Sequence, residues 1–252
     1  MAIMIKSPHE IEKMRISGKA LRQVHDAIAP HVVPGASTMD LEQIAVKKIA
    51  ELGAIAAFKG YHGYPAALCT SVNDEVVHGI PSAKRILNEG DILSIDCGVI
   101  IDGYYSDAAV TYPIGQVAPK TTKLLEVTQA SLEKAIQQCQ VGGRLGDISA
   151  AVQEFCEAEG FGVVREFVGH GIGRSMHEDP QVPNFVSKAL RKNDIRLEPG
   201  LVLAVEPMVA LGTKEVRTLD DGWTVETKDR RASAHFEHTV AITKDGPQVL
   251  TR

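Results

Sequence analysis

Ile92-Leu93-Ser94-Ile95-Asp96-Cys97-Gly98-Val99-Ile100-Ile101, then Asp102-Gly103, then Tyr104-Tyr105-Ser106-Asp107, is the stretch that decides how this chain is built. Two apolar runs joined by Asp-Gly predict a β-hairpin closed by a two-residue type I′ turn, since both turn positions need positive φ. If Ile101 faces Tyr104, residue 96 faces residue 109 and residue 107 faces residue 98. Side chains alternate with period two, so Asp96 and Asp107 then share a face as diagonal neighbours. One cation can bridge them. A slip of one residue would put them on opposite faces, so the pairing depends on the turn.

Three further metal-capable side chains stand in or beside short apolar runs: His170 between glycines, Glu206 before Pro207, and Glu237. An acid inside an apolar strand is costly to bury unless something neutralises it. Five such groups at separate strand ends imply a shared cation rather than scattered surface charge. Singly, each has a plainer reading: Asp96 as a hydrogen-bond acceptor in the hairpin, Glu206 as a strand-end surface acid, His170 as a loop residue.

Helix punctuation frames these strands. Ser7-Pro8-His9-Glu10 is a capping box with proline at the first helical position, opening a helix toward Ala29-Pro30. A second helix is expected from Thr38 to Gly53. A third covers Lys120 to Gln140, with Leu125, Leu132, Ile136 and Cys139 on one stripe, and stops at Gly142-Gly143. A fourth runs from Asp147 to Gly160. The order is two helices, strands with a hairpin, two helices, then strands again. It predicts an α+β fold of two pseudo-symmetric halves, about 1–117 and 118–252, with helices on one side of a curved antiparallel sheet. No low-complexity linker separates them, which favours one continuous domain.

Composition sets the remaining bounds. With 252 residues the chain can bury a substantial core, and its net charge of −5 comes without any basic block of the kind that binds nucleic acid or anionic membranes. No stretch approaches the roughly 18 apolar residues of a membrane span, and the start has no signal-peptide core, so a soluble cytoplasmic protein is expected. Cys69, Cys97, Cys139 and Cys156 are widely spaced and read as reduced thiols.

Seven motifs carry a family resemblance: Tyr61-His62-Gly63-Tyr64-Pro65, Asn73-Asp74-Glu75-Val76-Val77-His78-Gly79-Ile80-Pro81, Ile95-Asp96-Cys97-Gly98, Gly169-His170-Gly171-Ile172-Gly173, Met176-His177-Glu178-Asp179-Pro180, Val205-Glu206-Pro207 and Ala234-His235-Phe236-Glu237-His238-Thr239. Together, over nearly the whole chain, they resemble the type I methionine aminopeptidases in their short bacterial form. The resemblance implies the pita-bread fold, a pseudo-two-fold duplicated antiparallel sheet with helices on its outer face.

It also implies a site. Asp96 and Asp107 would hold one divalent ion and Asp107, His170, Glu206 and Glu237 a second, with Asp107 and Glu237 bridging. One imidazole among carboxylates suits Co, Mn, Fe or Zn, and leaves the ion's identity open. A metal-bridged hydroxide would attack the scissile carbonyl, with Glu206 as proton shuttle, His78 near the leaving nitrogen and His177 on the carbonyl oxygen. Tyr61, Tyr64, Cys69, Met176 and Trp223 resemble the family's methionine-pocket positions, and Gly98 stands where some relatives carry a hydroxyl near the substrate amine. His62, His235 and His238 read as structural or supporting residues. The implied activity is removal of initiator methionine from nascent proteins when the second residue is small, by a monomer whose charged run Lys228-Asp229-Arg230-Arg231 could touch a ribosome in passing.

Two other readings compete. Prolidases and proline-specific aminopeptidases share the scaffold but generally carry an additional amino-terminal domain. A catalytically dead pita-bread binding protein would be expected to have lost ligands, whereas all five are present here. Met1-Ala2 is itself methionine before a small residue, on a tail expected to be exposed ahead of Ser7, so removal of Met1 in trans is expected.

Overall fold

A computed structural model describes residues 3–252; Met1 and Ala2, and with them the expected processing of Met1, lie outside the described residues. The elements are α1 (Pro8–Ile28), α2 (Thr38–Glu51), β1 (Ile55–Ala56), β2 (Leu68–Val72), β3 (Glu75–Val77), β4 (Ile92–Ile101) and β5 (Tyr104–Pro113). Then come α3 (Pro119–Gln138), α4 (Leu145–Ala158), β6 (Gly162–Val163), β7 (Gly169–Gly171), β8 (Glu178–Val182) and α5 (Lys188–Lys192). The chain closes with β9 (Val202–Val205), β10 (Met208–Ala210), β11 (Val216–Thr218), β12 (Val225–Thr227), β13 (Ser233–His235), β14 (His238–Thr243) and β15 (Gly246–Val249).

The predicted hairpin forms in the predicted register. Ile101 pairs with Tyr104, Asp96 with Ala109 and Gly98 with Asp107. Asp102 and Gly103 both take positive φ, +51° and +76°, as a type I′ turn demands. The Ser7 capping box closes as read, Ser7 Oγ accepting from Glu10 N–H and the Glu10 carboxylate from Ser7 N–H. The first helix stops one residue short of Ala29, where Ala29-Pro30-His31 tightens into a 3-10 turn because proline cannot supply the next helical N–H. The tail ahead of Ser7 departs from expectation: Ile3, Met4 and Ile5 are exposed, but Lys6 is buried, its Nζ 2.6 Å from Glu178 Oε2 and its N–H bonded to Gly200 O.

Two helix-backed cores result. Leu21, Val24 and Leu41 of α1 and α2 pack on Ile95, Cys97 and Val99 of β4. Leu124, Leu132, Ile148 and Val152 of α3 and α4 pack on Leu203 and Val240 of the five-stranded sheet β15-β14-β9-β7-β8. A third cluster, with Met14, Tyr64, Cys69, Met176 and Val202, joins them. All four cysteines are buried and free. No helix among the described residues is long and apolar enough to cross a membrane.

Two threonines seam the halves together where the ligands meet. Thr239 Oγ1 accepts from Asp107 N–H and donates to Asp107 O, while Thr111 Oγ1 does the same with His235 N–H and O. Between them Glu237 N–H donates to Ala109 O. The stretch from His235 to Thr239 is therefore stitched to β5, which brings Glu237 against Asp107.

Candidate metal centre

Each expected ligand arrives from its own part of the chain. Asp96 and Asp107 come from the hairpin strands β4 and β5, His170 from the middle of β7, Glu206 from the step between β9 and β10, and Glu237 from the step between β13 and β14. The glycines beside His170 are forced by close packing: a Cβ at residue 169 would lie 2.3 Å from Ala204 O, and one at 171 would lie 2.4 Å from Asp179 O. Asn184 Nδ2 donates to Glu206 O, 2.9 Å away, and fixes the backbone at that corner.

The four carboxylates are crowded and unneutralised, Asp107 and Glu237 buried and Asp96 and Glu206 half-buried. Asp107, His170 and Glu237 are 3%, 5% and 2% exposed. Asp96 Oδ1, Asp107 Oδ1 and Glu237 Oε1 have no hydrogen-bond partner among the described residues. Burial pushes Asp96 up to about 7 and Glu206 up to about 8. Burial, then repulsion from neighbouring carboxylates, pushes Asp107 and Glu237 well above the ordinary carboxylate range. These are the properties of a site built for cations: oxygen donors with free lone pairs, and acids whose charge the fold itself leaves uncompensated. His170 completes the set. Its Nδ1 lies 2.9 Å from Gly171 O, so the proton sits there and the bare Nε2 faces Asp107 Oδ2 at 3.8 Å and Glu206 Oε1 at 3.7 Å. Burial holds this imidazole neutral, down at about 3. Asp107, His170 and Glu237 can converge on one ion, and Glu206, His235 and Glu237 form a second converging group.

A cavity of about 210 Å³ opens on these groups. All five expected metal ligands border it, together with His78, His177 and the expected pocket residues Tyr61, Tyr64, Cys69, Met176 and Trp223. Trp223 stacks edge-on against Tyr64 at 5.1 Å between centroids, and its backbone N–H donates to Asp221 Oδ1. Gly98 abuts the same wall: a Cβ there would sit 2.9 Å from Phe58 Cε1 and 3.2 Å from Met176 Cε, so the pocket has its present width because residue 98 has no side chain. His78 takes φ +62° and packs edge-on against Phe167, 5.4 Å between centroids. Burial lowers its pKa to about 4 and also lowers that of His177, so both are neutral near pH 7.

The three remaining histidines of the motifs separate. His62 stands at the rim, its ring edge-on to Tyr61. His238 points elsewhere, its Nδ1 2.8 Å from Thr251 Oγ1. His235 lies inside the acidic cluster, Nε2 3.5 Å from Glu206 Oε2. Phe167, which supports His78, escaped the sequence reading altogether; its spacing three before His170 carries no signal of its own.

Comparison with known proteins places the whole chain. The profile of metallopeptidase family M24 matches residues 12–244. Methionine aminopeptidase 1 of Bacillus subtilis is 49% identical over 250 residues, covering 99% of both chains. The methionine aminopeptidase of Escherichia coli K12 is 46% identical, covering all of this chain and 94% of its own. The crystal structure of the Thermotoga maritima methionine aminopeptidase superposes with a TM-score of 0.96 at 45% identity, covering 100% of both. The prolidase of Pyrococcus furiosus shares the fold, with a TM-score of 0.78 at 22% identity, and this chain spans 65% of its length. By profile, by identity over its full length and by fold, this chain belongs to metallopeptidase family M24, among its methionine aminopeptidases.

Proposed function

We propose that this chain removes the N-terminal methionine of nascent proteins whose second residue is small, as a single catalytic unit to which both halves contribute ligands. One observation carries the reading: an apolar pocket with room for one side chain opens directly onto four carboxylates that lack any lysine or arginine partner among the described residues. At about 210 Å³ the cavity is smaller than the roughly 300–1,000 Å³ of sites for drug-sized ligands, which suits one thioether side chain and the bond beside it. Cys69 and Met176 with the rings of Tyr61, Tyr64 and Trp223 offer sulfur and aromatic contacts to methionine, each worth about 0.3–1.5 kcal/mol.

Asp96 and Asp107 would hold one divalent ion, and Asp107, His170, Glu206 and Glu237 a second; Co, Mn, Fe and Zn all fit this donor set. When bound, the ions polarise the scissile carbonyl and acidify the attacking water. The remaining work falls to the chain. Tyr61 Oη lies 2.8 Å from His177 Nδ1. With tyrosine donating, the imidazole proton goes to Nε2, which then donates to the carbonyl oxygen as charge builds there. Glu206 Oε2, the carboxylate oxygen turned away from His170, would take the proton that water releases and return it to the departing amide nitrogen. His78, held by Phe167 and Trp223, lines the leaving-group side.

The test is release of the first residue from tripeptides by metal-reconstituted protein. Met-Ala-Ser should be cleaved, Pro-Ala-Ser should not, and Met-Arg-Ser should be a poor substrate because His78, His177 and Trp223 crowd the second residue. Comparable rates on Met-Ala-Ser and Met-Arg-Ser would sink the steric selection.

A further inference from the structure

His235 is the one buried histidine whose two ring nitrogens both lack a hydrogen-bond partner among the described residues, and it is 1% exposed. Its backbone cannot drift, because Thr111 Oγ1 holds both His235 N–H and O. Its Nε2 lies 3.5 Å from Glu206 Oε2 and 3.9 Å from Glu237 Oε2. On the other side of the same carboxylate, His170 Nε2 lies 3.7 Å from Glu206 Oε1. Glu206 is thus flanked by two imidazoles, one toward each oxygen.

The two rings are built for opposite tasks. His170 has an acceptor for Nδ1–H in Gly171 O, so its Nε2 is left bare to meet a cation. His235 has no acceptor at Nδ1. Were its Nε2 bare, the proton would sit on Nδ1 as a buried donor with nothing to receive it, which is the costly arrangement; a bare Nδ1 leaves only an unused lone pair. The proton therefore belongs on Nε2 once Glu206 is ionised by a bound cation, facing a carboxylate oxygen a few tenths of an ångström beyond hydrogen-bond range. A carboxylate drawn inward by a cation, or a small ring rotation, closes that gap.

We propose that His235 is a positioning residue for Glu206: its Nε2–H donates to Glu206 Oε2 and turns the carboxylate so that Oε1 is presented beside His170. Oε2 keeps its second lone pair for the transferred proton. The inference rests on the metal-site reading above but not on the peptide substrate, so its test uses none.

Metal-free protein is titrated with Mn²⁺ by calorimetry in the wild type, His235→Gln and His235→Leu. Glutamine keeps an N–H donor of similar reach, whereas leucine keeps only bulk. Metal affinity should fall about 10–100-fold in His235→Leu and largely return in His235→Gln. Unchanged affinity in a folded His235→Leu protein would overturn the proposal, as would an equal loss in both variants. A second readout needs no variant. Proton NMR of the Co²⁺-loaded wild type should show one imidazole ring with large through-bond contact shifts, that of His170, while the His235 Nε2–H is shifted only through space. A second contact-shifted ring would make His235 a ligand and refute the positioning role. Failure of the tripeptide assay with these two results intact would remove the substrate reading and leave this one standing.

Discussion

Glu226 and Glu237 are both buried carboxylates, 1% and 2% exposed, set in opposite electrostatic surroundings. Glu226, on β12, is clamped by this chain's own cations: Arg217 Nε donates to Oε1 at 2.7 Å, Arg230 pairs with Oε2, and Arg230 Nε also reaches Asp74 Oδ2 at 2.7 Å. Glu42 is satisfied in another way, accepting the backbone N–H groups of Ala67 and Leu68. Glu237 meets Asp107, Glu206 and Asp96 instead, with Oε1 unpartnered. A buried ion costs several kcal/mol unless paired. Where the chain supplies the counter-charge, a carboxylate pins loops together; where it withholds it, the carboxylates are set to receive cations. The contrast, more than burial alone, marks the reactive region.

The largest effect should come from removing the unsatisfied charge. Asp107→Asn or Glu237→Gln takes away an oxygen donor at the crowded centre, so turnover should drop by at least about 10³-fold and metal content should fall with it. Elemental analysis beside a tripeptide assay checks both. Next in size is His177→Ala, which touches no carboxylate: turnover should fall by about 10²–10³-fold, the cost of one oxyanion donor, with metal retained. Metal loss in His177→Ala equal to that in Glu237→Gln would erase the distinction between the acidic cluster and its rim.

The legible parts of this molecule are those with local causes. The hairpin register followed from two turn residues, and the caps at Ser7 and the stripe on α3 from spacing along one helix. The five expected ligands and the two expected catalytic histidines could be proposed because six of them sit in short motifs and Asp107 in the hairpin, and the structure brings all seven to one cavity. What stayed hidden depends on contacts made across the fold. Phe167 supports His78 from 89 positions away. Arg230 read only as part of a charged run, with nothing to join it and Arg217 to Glu226, and Lys6 looked like part of an exposed tail until Glu178, 172 positions on, buried it. His235 could be placed near the site but not given a task, since a tautomer is set by three-dimensional neighbours.

Acidity offers a third, smaller way to sharpen the comparison. In the metal-free protein Asp96 and Glu206 are raised from 3.8 and 4.5 to about 7 and about 8, chiefly by burial. A raised acid binds more protons folded than unfolded. Between about pH 4 and pH 8, stability should therefore fall as pH rises, the reverse of a salt-bridged carboxylate. A divalent ion replaces those protons and binds only the native state, so its stabilisation should grow with pH. Melting of chelator-treated and Mn²⁺-loaded protein should show a gap that widens by several degrees across this range, at about 2–4 °C per kcal/mol. A constant gap would mean the acids are not protonated in the metal-free state.

The smallest effect belongs to the satisfied carboxylate. Glu226→Gln keeps the side-chain shape and one carbonyl acceptor but loses the charge that faces Arg217 and Arg230. Full desolvation of both partners would make such a loss worth about 3–5 kcal/mol. Here each arginine side chain is 58% exposed, so both can turn to water when the charge is gone. The loss should then be nearer 1–2 kcal/mol, or a melting temperature lower by roughly 2–8 °C. Glu226 lies on β12, which pairs with β3 just before His78, yet it touches none of the metal-facing groups. Metal content and turnover on Met-Ala-Ser should stay within about twofold of the wild type, the range expected of a stability change that leaves the site intact. If Glu226→Gln lost metal as Glu237→Gln should, the two regions would be one electrostatic unit, and the division between charge that holds the fold and charge that awaits a cation would fail.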